Sequence, residues 1–167
     1  LQATATAIAA GEPVHILINN TGGPPGGPAS TATAAEFESA FRQHLLGGQV
    51  LLQALLPGMR ASGYGRIVNV ISTSVKEPIA GLGVSNTVRA AVAGWAKTLS
   101  GELAADGITV NNVLPGYTRT GRLDGLLAAK AAASGQGEDE IAQGLIATIP
   151  ARRFGEAGEV AAVIAFL

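Results

Sequence analysis

The stretch RIVNVIS, residues 66–72, is almost entirely apolar and rich in branched side chains. A short run of this kind predicts a strand buried on both faces, as in a parallel sheet covered by helices. Two similar runs, VHILIN (14–19) and ITVNNVL (108–114), precede and follow it. Because segments with helical spacing separate the three runs, the sequence predicts an α/β fold built on parallel strands joined by helical crossovers.

The two longest helices are predicted from apolar spacing and from residues that favour helix ends. Thr33 precedes Glu36 by three positions, which is a capping box, and the helix that follows is predicted over 34–61. A second long helix is predicted over 84–105, with Asp106-Gly107 as its end signal. This second helix has a stripe of large apolar residues and otherwise small ones, which favours close packing against another helix.

The last third of the sequence is predicted to be helical. Residues 121–167 indicate two or three helices, broken at Gly135–Gly137 and around Pro150. No internal repeat or charged linker divides the chain, so we expect residues 1–167 to form a single, incomplete domain.

Composition excludes several classes of function. Apolar residues make up 47% of the chain, charged residues 14%, and the net charge is −1, which gives no electrostatic reason to expect nucleic acid or a membrane as partner. There is no cysteine, and the two histidines are far apart, so no metal site is predicted. No apolar run reaches the roughly 18–20 residues that span a bilayer. We therefore expect a soluble, cytoplasmic protein.

Polar and small residues cluster where the predicted strands end. These segments are Asn19–Gly23, Ser72–Ser74 and Pro115–Thr120. Functional groups of parallel α/β sheets lie at the carboxyl ends of the strands, so these three segments are predicted to meet at one edge.

Four motifs in the same order carry a resemblance to a known family. The sequence ILINNTGG resembles the Asn-Asn-Ala-Gly turn of the short-chain dehydrogenase/reductase family, and RIVNVIST resembles the strand that delivers its catalytic serine. VNNVLPGYTRT resembles the family's Pro-Gly-x-x-x-Thr turn, and RRFGEAGEVAAVIAFL its late helix. The resemblance implies a Rossmann-like, doubly wound parallel sheet with helices on both faces. This sequence supplies three of its usual seven strands.

Parts of the family pattern are missing from the sequence. Nothing matches the first strand, the glycine-rich pyrophosphate turn or the last strand, and GGPPGG (22–27) is no substitute because its prolines lack N–H donors. A three-stranded sheet with two open edges is a poor independent domain. We expect the sequence to be a fragment of a longer protein, with edges covered by a partner chain as the alternative.

The resemblance also implies an active site, with departures. The family uses a serine, a tyrosine, a lysine four residues after it, and an asparagine on the preceding long helix. Here Ser72 matches the serine, and Ser85, thirteen residues later, stands at the tyrosine position. Arg89 stands at the lysine position and His44 at the asparagine position. The implied activity is NAD(P)-linked hydride transfer at a carbonyl/alcohol pair, with catalysis altered by these replacements.

The replacements change the available acid–base chemistry. An aliphatic hydroxyl is a far weaker acid than a phenol, whose pKa is about 10, and Ser85 has a shorter side chain. Arg89 keeps the positive charge but does not transfer protons, because guanidinium stays protonated. The resemblance therefore implies that Arg89 still holds the nicotinamide ribose, whereas the acid function is in question.

Cofactor and partner expectations follow from the same resemblance. NAD or NADP is the implied cofactor, and the sequence does not choose between them. Helices within 121–149 correspond to the family's substrate lid, and a homo-oligomer, dimer or tetramer, is implied through helices 34–61 and 84–105. Besides Arg89, the implied cofactor-binding residues are Asn19, Asn20, Gly22, Pro115, Gly116 and Thr120.

Two other functions remain open. His44 could form a nucleophilic pair with Ser72 or Ser85, with Arg89 stabilising an oxyanion, which would give a hydrolase of esters or lactones. A member without catalysis that binds a small molecule is the other alternative. In purely structural terms, Ser85 and Asn86 could cap the helix that follows them. A further candidate, Tyr117, could supply a replacement phenol.

Overall fold

The computed structural model describes all of residues 1–167, and its sheet is parallel as predicted. The helices are α1 (Gln2–Ala9), α2 (Ala34–Phe41), α3 (Gly47–Ser62), α4 (Gly83–Leu103), α5 (Gly121–Ser134), α6 (Glu138–Thr148) and α7 (Ala157–Phe166). The strands are β1 (Ile16–Asn19), β2 (Gly65–Val70), β3 (Ile108–Val113), β4 (Thr118–Arg119) and β5 (Gly155–Glu156). The chain forms two compact units, Leu1–Leu114 with Leu167 and Pro115–Phe166.

The first unit is built around a three-stranded parallel sheet in the order β1-β2-β3. Leu17 of β1 pairs with Ile67 of β2, which pairs with Val110 of β3. All three predicted strands are present and differ from the predicted ranges only at their ends. The α/β prediction is confirmed, and the parallel order places the carboxyl ends of the three strands at one edge.

The apolar core lies toward the amino ends of the strands. Leu52 and Met59 of α3 and Leu103 of α4 pack against Ile67 and Ile108 of the sheet, and each of these side chains is at most 2% exposed. Burying a side chain of this size contributes about 1.5–3 kcal/mol. This cluster holds α3 and α4 against the sheet.

The long helix predicted over 34–61 contains a wide turn that the sequence did not reveal. Thr33 accepts a hydrogen bond from the Glu36 N–H and Glu36 accepts one from the Thr33 N–H, which confirms the capping box. Between α2 and α3, Arg42–Leu46 form a π-helical turn. His44 lies in this turn and is only 6% exposed. Such turns often occur at functional sites.

The start of α4 corrects one structural interpretation of the sequence. The helix begins at Gly83, so Ser85 occupies its third position, and no side chain caps the first turn. The Asn86 side chain instead bonds the backbone of Ile79, accepting from its N–H at 3.4 Å and donating to its carbonyl at 2.9 Å. Neither Ser85 nor Asn86 is therefore a helix cap.

The expected close packing of α4 is not present within the chain at Gly94. A methyl group added there would meet no heavy atom within 4 Å, and the residue is exposed. Packing inside this chain is therefore not the reason for the glycine.

The second unit consists of α5, α6 and α7 with a two-stranded parallel pair. The three helices agree with the prediction for residues 121–167, and Gly135, with φ of +73°, ends α5 where a break was expected. Thr118 of β4 pairs with Gly155 of β5. A strand of two residues is too short to show an alternation of apolar and polar residues, so neither β4 nor β5 could be predicted from the sequence. None of the chain's helices combines the length and the apolar character needed to cross a membrane.

Candidate active site

Three asparagines link β1, β2 and β3 to one another near the carboxyl ends of the strands. Asn19, Asn69 and Asn112 are in register, and their side chains bond in series at 2.9 Å and 3.1 Å. Asn69, in the middle, is only 1% exposed, yet its amide both donates and accepts. A buried amide satisfied in this way rigidifies its surroundings. Each of the three apolar runs contains one of these asparagines, but at a different distance from its start, so the series appears only in the register of the strands.

Arg89 on α4 joins that helix to the end of β2. Its Nη1 donates to the carbonyl oxygens of Val70 at 3.0 Å and Ile71 at 2.9 Å. Its Nε donates to Ser85 Oγ at 3.3 Å. Because Ile71 directly precedes Ser72, one guanidinium connects both candidate serines.

The Ser72 hydroxyl is fixed on one side by the chain itself. Its Oγ accepts a hydrogen bond from the Ser74 N–H at 3.0 Å, which leaves the hydroxyl hydrogen for another acceptor. The Ser74 hydroxyl is buried, 3% exposed, and has no hydrogen-bond partner within the chain. Buried hydroxyls without a partner are rare and costly, so Ser74 Oγ marks a polar position next to Ser72.

His44 is held by the loop after β1. Its Nδ1 lies 2.5 Å from Thr21 Oγ1, whereas its Nε2 is buried without a hydrogen-bond partner within the chain. Burial, and secondarily the positive charge of Arg89, lower the pKa of His44 from 6.5 to about 4. The imidazole is therefore neutral near pH 7.

The geometry does not form the Ser–His pair that a hydrolase would need. Neither ring nitrogen of His44 bonds to Ser72 or Ser85. The two serines are instead bonded to Ser74 and Arg89. Thr21, in the polar segment that follows β1, is the partner of His44 instead.

The predicted nucleotide-contacting residues of the first unit differ in their availability. Asn20 and Gly22 are exposed after β1, whereas the Asn19 amide group donates to Asn69. Gly27 in the following loop bonds to the segment before α4, donating to the Gly81 carbonyl at 2.7 Å and accepting from the Gly83 N–H at 2.9 Å. The Gly27 N–H is therefore already bonded and does not serve a pyrophosphate, whereas Asn20 and Gly22 are accessible to a ligand.

In the second unit, the Pro115–Thr120 turn is held by bonds to its own main-chain carbonyls. Thr118 Oγ1 donates to the Gly116 carbonyl at 3.2 Å, and Thr120 forms the N-cap residue of α5 without a side-chain cap bond. Tyr117 packs edge-on against Phe154, and burial raises the pKa of its phenol. A raised pKa makes Tyr117 a weaker acid than an ordinary tyrosine, which disfavours it as a replacement phenol.

Comparison with known proteins agrees with this geometry. A family model described as short chain dehydrogenase matches residues 1–131. The chain is 32% identical over 156 residues to 3-oxoacyl-(acyl-carrier-protein) reductase FabG of Haemophilus influenzae, covering 92% of this chain and 59% of that protein. The chain spans about three fifths of the length of this and other curated relatives that it matches.

Solved structures show the same fold. The F189W actinorhodin polyketide ketoreductase with NADPH superposes with a TM-score of 0.92 at 28% identity, covering 100% of this chain and 67% of that one. An NAD⁺-bound xylitol dehydrogenase superposes with a TM-score of 0.88 at 26% identity, covering 99% and 66%. The family model, these similarities and the parallel sheet with its serine-bearing strand end show that the chain belongs to the short-chain dehydrogenase family.

Proposed function

We propose that this chain is part of an NAD(P)-linked oxidoreductase that acts on a carbonyl/alcohol pair. The observation that carries the proposal is the bonding of Arg89, which joins Ser85 to the strand end bearing Ser72. The reductases to which the chain is similar support a 3-ketoacyl thioester as the substrate class.

The proposed mechanism gives the two serines a shared role. The Ser72 and Ser85 hydroxyls donate hydrogen bonds to the substrate carbonyl oxygen and stabilise the negative charge that develops there. The bound nicotinamide supplies the hydride. Neutral His44, held by Thr21, adds no charge to this polar region. The proton on the product oxygen comes from solvent through the hydroxyls, since neither serine is a strong acid.

For the nicotinamide cofactor, Asn19, Asn20 and Gly22 are proposed on the ribose side, and Pro115, Gly116 and Thr120 on the nicotinamide side. NADP and NAD are each supported by a similar structure, one with NADPH and one with NAD⁺.

The activity is tested on the polypeptide as its gene encodes it. We expect NADPH or NADH fluorescence to change on binding, and acetoacetyl-CoA, a simple 3-ketoacyl thioester, to oxidise the bound cofactor. Ser72→Ala should lower kcat at least tenfold, since loss of one such donor typically costs 10²–10³. Thr73→Ala, at the exposed neighbouring position, is the matched control.

Three results would contradict the proposal. Absence of nicotinamide binding removes it altogether. Binding without turnover of any carbonyl supports the non-catalytic alternative. Turnover of p-nitrophenyl esters that is lost in His44→Ala supports the hydrolase.

We propose α5 and α6, within residues 121–149, as a cover over the substrate. An open groove of about 630 Å³ lies between the two helices, and its lining mixes Lys130 and Glu140 with Ile141 and Leu145.

We further propose a homo-oligomer, a dimer or tetramer, formed through the helical segment 34–61 and α4. The proposal is supported by Gly94 on α4, which is exposed and where an added Cβ would meet no heavy atom of the chain within 4 Å, leaving space for a second chain. Light scattering should give at least twice the mass of one chain, and Gly94→Leu should shift it toward one. Gly144→Leu, at an equally open position of α6, is the control. A wild-type monomer contradicts this assembly.

A further inference from the structure

Arg89 donates three hydrogen bonds to groups of the protein itself. Both hydrogens of Nη1 have carbonyl acceptors, on Val70 and Ile71, and the Nε hydrogen points to Ser85 Oγ. These acceptors lie on two elements, the end of β2 and the first turn of α4. The planar guanidinium matches them because its N–H groups diverge in fixed directions. A lysine ammonium is a single point and cannot reproduce this pattern.

The bond to Ser85 determines the direction of that hydroxyl's hydrogen bonds. Guanidinium has no acceptor, so Ser85 Oγ must accept from Arg89 Nε–H, and its own hydrogen is left for an acceptor other than Arg89. Ser85 is 7% exposed and lies one helical turn before Arg89, which restricts the directions that its hydroxyl can take.

The bonds to β2 act on the second serine. The Ile71 carbonyl belongs to the peptide that joins Ile71 to Ser72, so its bond to Arg89 fixes the orientation of that peptide. Ser72 Oγ accepts from Ser74 N–H and likewise retains its hydrogen. Each serine hydroxyl thus accepts a hydrogen bond from the protein and can donate its own hydrogen to another group.

We propose that Arg89 is a positioning residue, which orients the hydroxyls of Ser85 and Ser72 as paired hydrogen-bond donors to one substrate oxygen. This inference rests on the proposed function. It differs from the role that the resemblance implied, because Arg89 acts through the serines and not by holding the cofactor ribose. Restoring the family's lysine at this position therefore impairs the site.

The kinetic test is a double-mutant cycle in the full polypeptide with NADPH and acetoacetyl-CoA. Arg89→Lys should lower kcat about tenfold, while the Kd for NADPH and the KM for acetoacetyl-CoA change less than twofold. In the double variant with Ser85→Ala, Arg89→Lys should lower kcat by clearly less than it does in the wild type, since only its effect through the Ile71–Ser72 peptide remains. Ser85→Thr, which keeps a hydroxyl, should retain its dependence on Arg89. Lys97→Gln, on the exposed side of the same helix, should leave every constant unchanged.

Either of two kinetic results would overturn the proposal. If Arg89→Lys raises the Kd for NADPH tenfold with kcat unchanged, Arg89 holds the cofactor. If the losses in the double variant multiply, Arg89 does not act through Ser85.

A structural measurement separates failure of this inference from failure of the proposed function. In ¹⁵N NMR, the Arg89 Nε–H should exchange slowly with water in the wild type and at least tenfold faster in Ser85→Ala. Equal exchange in the two proteins overturns the positioning role, whether or not the protein turns over a carbonyl. A wild type that fails to bind NADPH while showing the protected Nε–H overturns the proposed function alone.

Discussion

Replacing Gly107 with alanine is expected to destabilise the folded chain by about 3 kcal/mol or more. Gly107 follows α4 and its last 3₁₀ turn with φ of +72°, a left-handed conformation that costs an L-residue about 1–2 kcal/mol. In addition, an added Cβ would lie 2.2 Å from the Gly63 carbonyl oxygen. Backbone must move to relieve that contact, and overpacking of this kind costs about 1–3 kcal/mol more.

Gly63 offers a matched control for this substitution. It also has a left-handed conformation, with φ of +63°, but an added Cβ there meets no heavy atom within 4 Å. Gly63→Ala should therefore cost only the conformational part, about 1–2 kcal/mol. Urea unfolding of both variants gives the comparison. Equal losses for the two alanines would show that the close approach of Gly63 to Gly107 does not exist.

The elements that could be predicted from the sequence are those with a local signal. The runs at 14–19, 66–72 and 108–114 were apolar enough to indicate strands, and the Thr33–Glu36 pair fixed the start of α2. The boundary at Gly135 followed from its conformational freedom. Each of these depends on residues close together in the chain.

The features that could not be predicted depend on contacts between distant segments. The π turn around His44 contacts α4, and nothing in its residues distinguishes it from an ordinary turn. The partners of Arg89 on β2 are main-chain carbonyls, which every residue possesses, so its side-chain chemistry alone could not name them. The resemblance predicted which residues matter, whereas only the structure gives their bonds.

The stability of the folded chain is expected to fall by about 3 kcal/mol as the pH drops from 6.5 to 4, because of His44 alone. Its pKa is lowered to about 4, first by burial and then by the charge of Arg89, against 6.5 for the unfolded chain. Between these values the unfolded state binds a proton that the native state does not, so stability decreases with falling pH. More than about one pH unit above 6.5, both states are neutral at this residue and the dependence vanishes.

The His44→Asn variant tests this expectation, because asparagine keeps a polar side chain at this position without a titrating group. Urea midpoints measured between pH 4 and 7 should vary less in His44→Asn than in the wild type, and His15→Gln controls for loss of a histidine elsewhere. The pKa of Glu159 is lowered to about 2 by its bond to Arg153, so this residue makes stability fall as the pH drops from 4.5 to 2. That range lies largely below the pH range in which His44 affects stability. A wild-type slope retained in His44→Asn would show that the imidazole is not desolvated in the fold.

Protonated His44 would put a second cation near Arg89 and break any bond in which Nδ1 accepts from Thr21. Protonation of His44 should therefore also disturb the loop after β1.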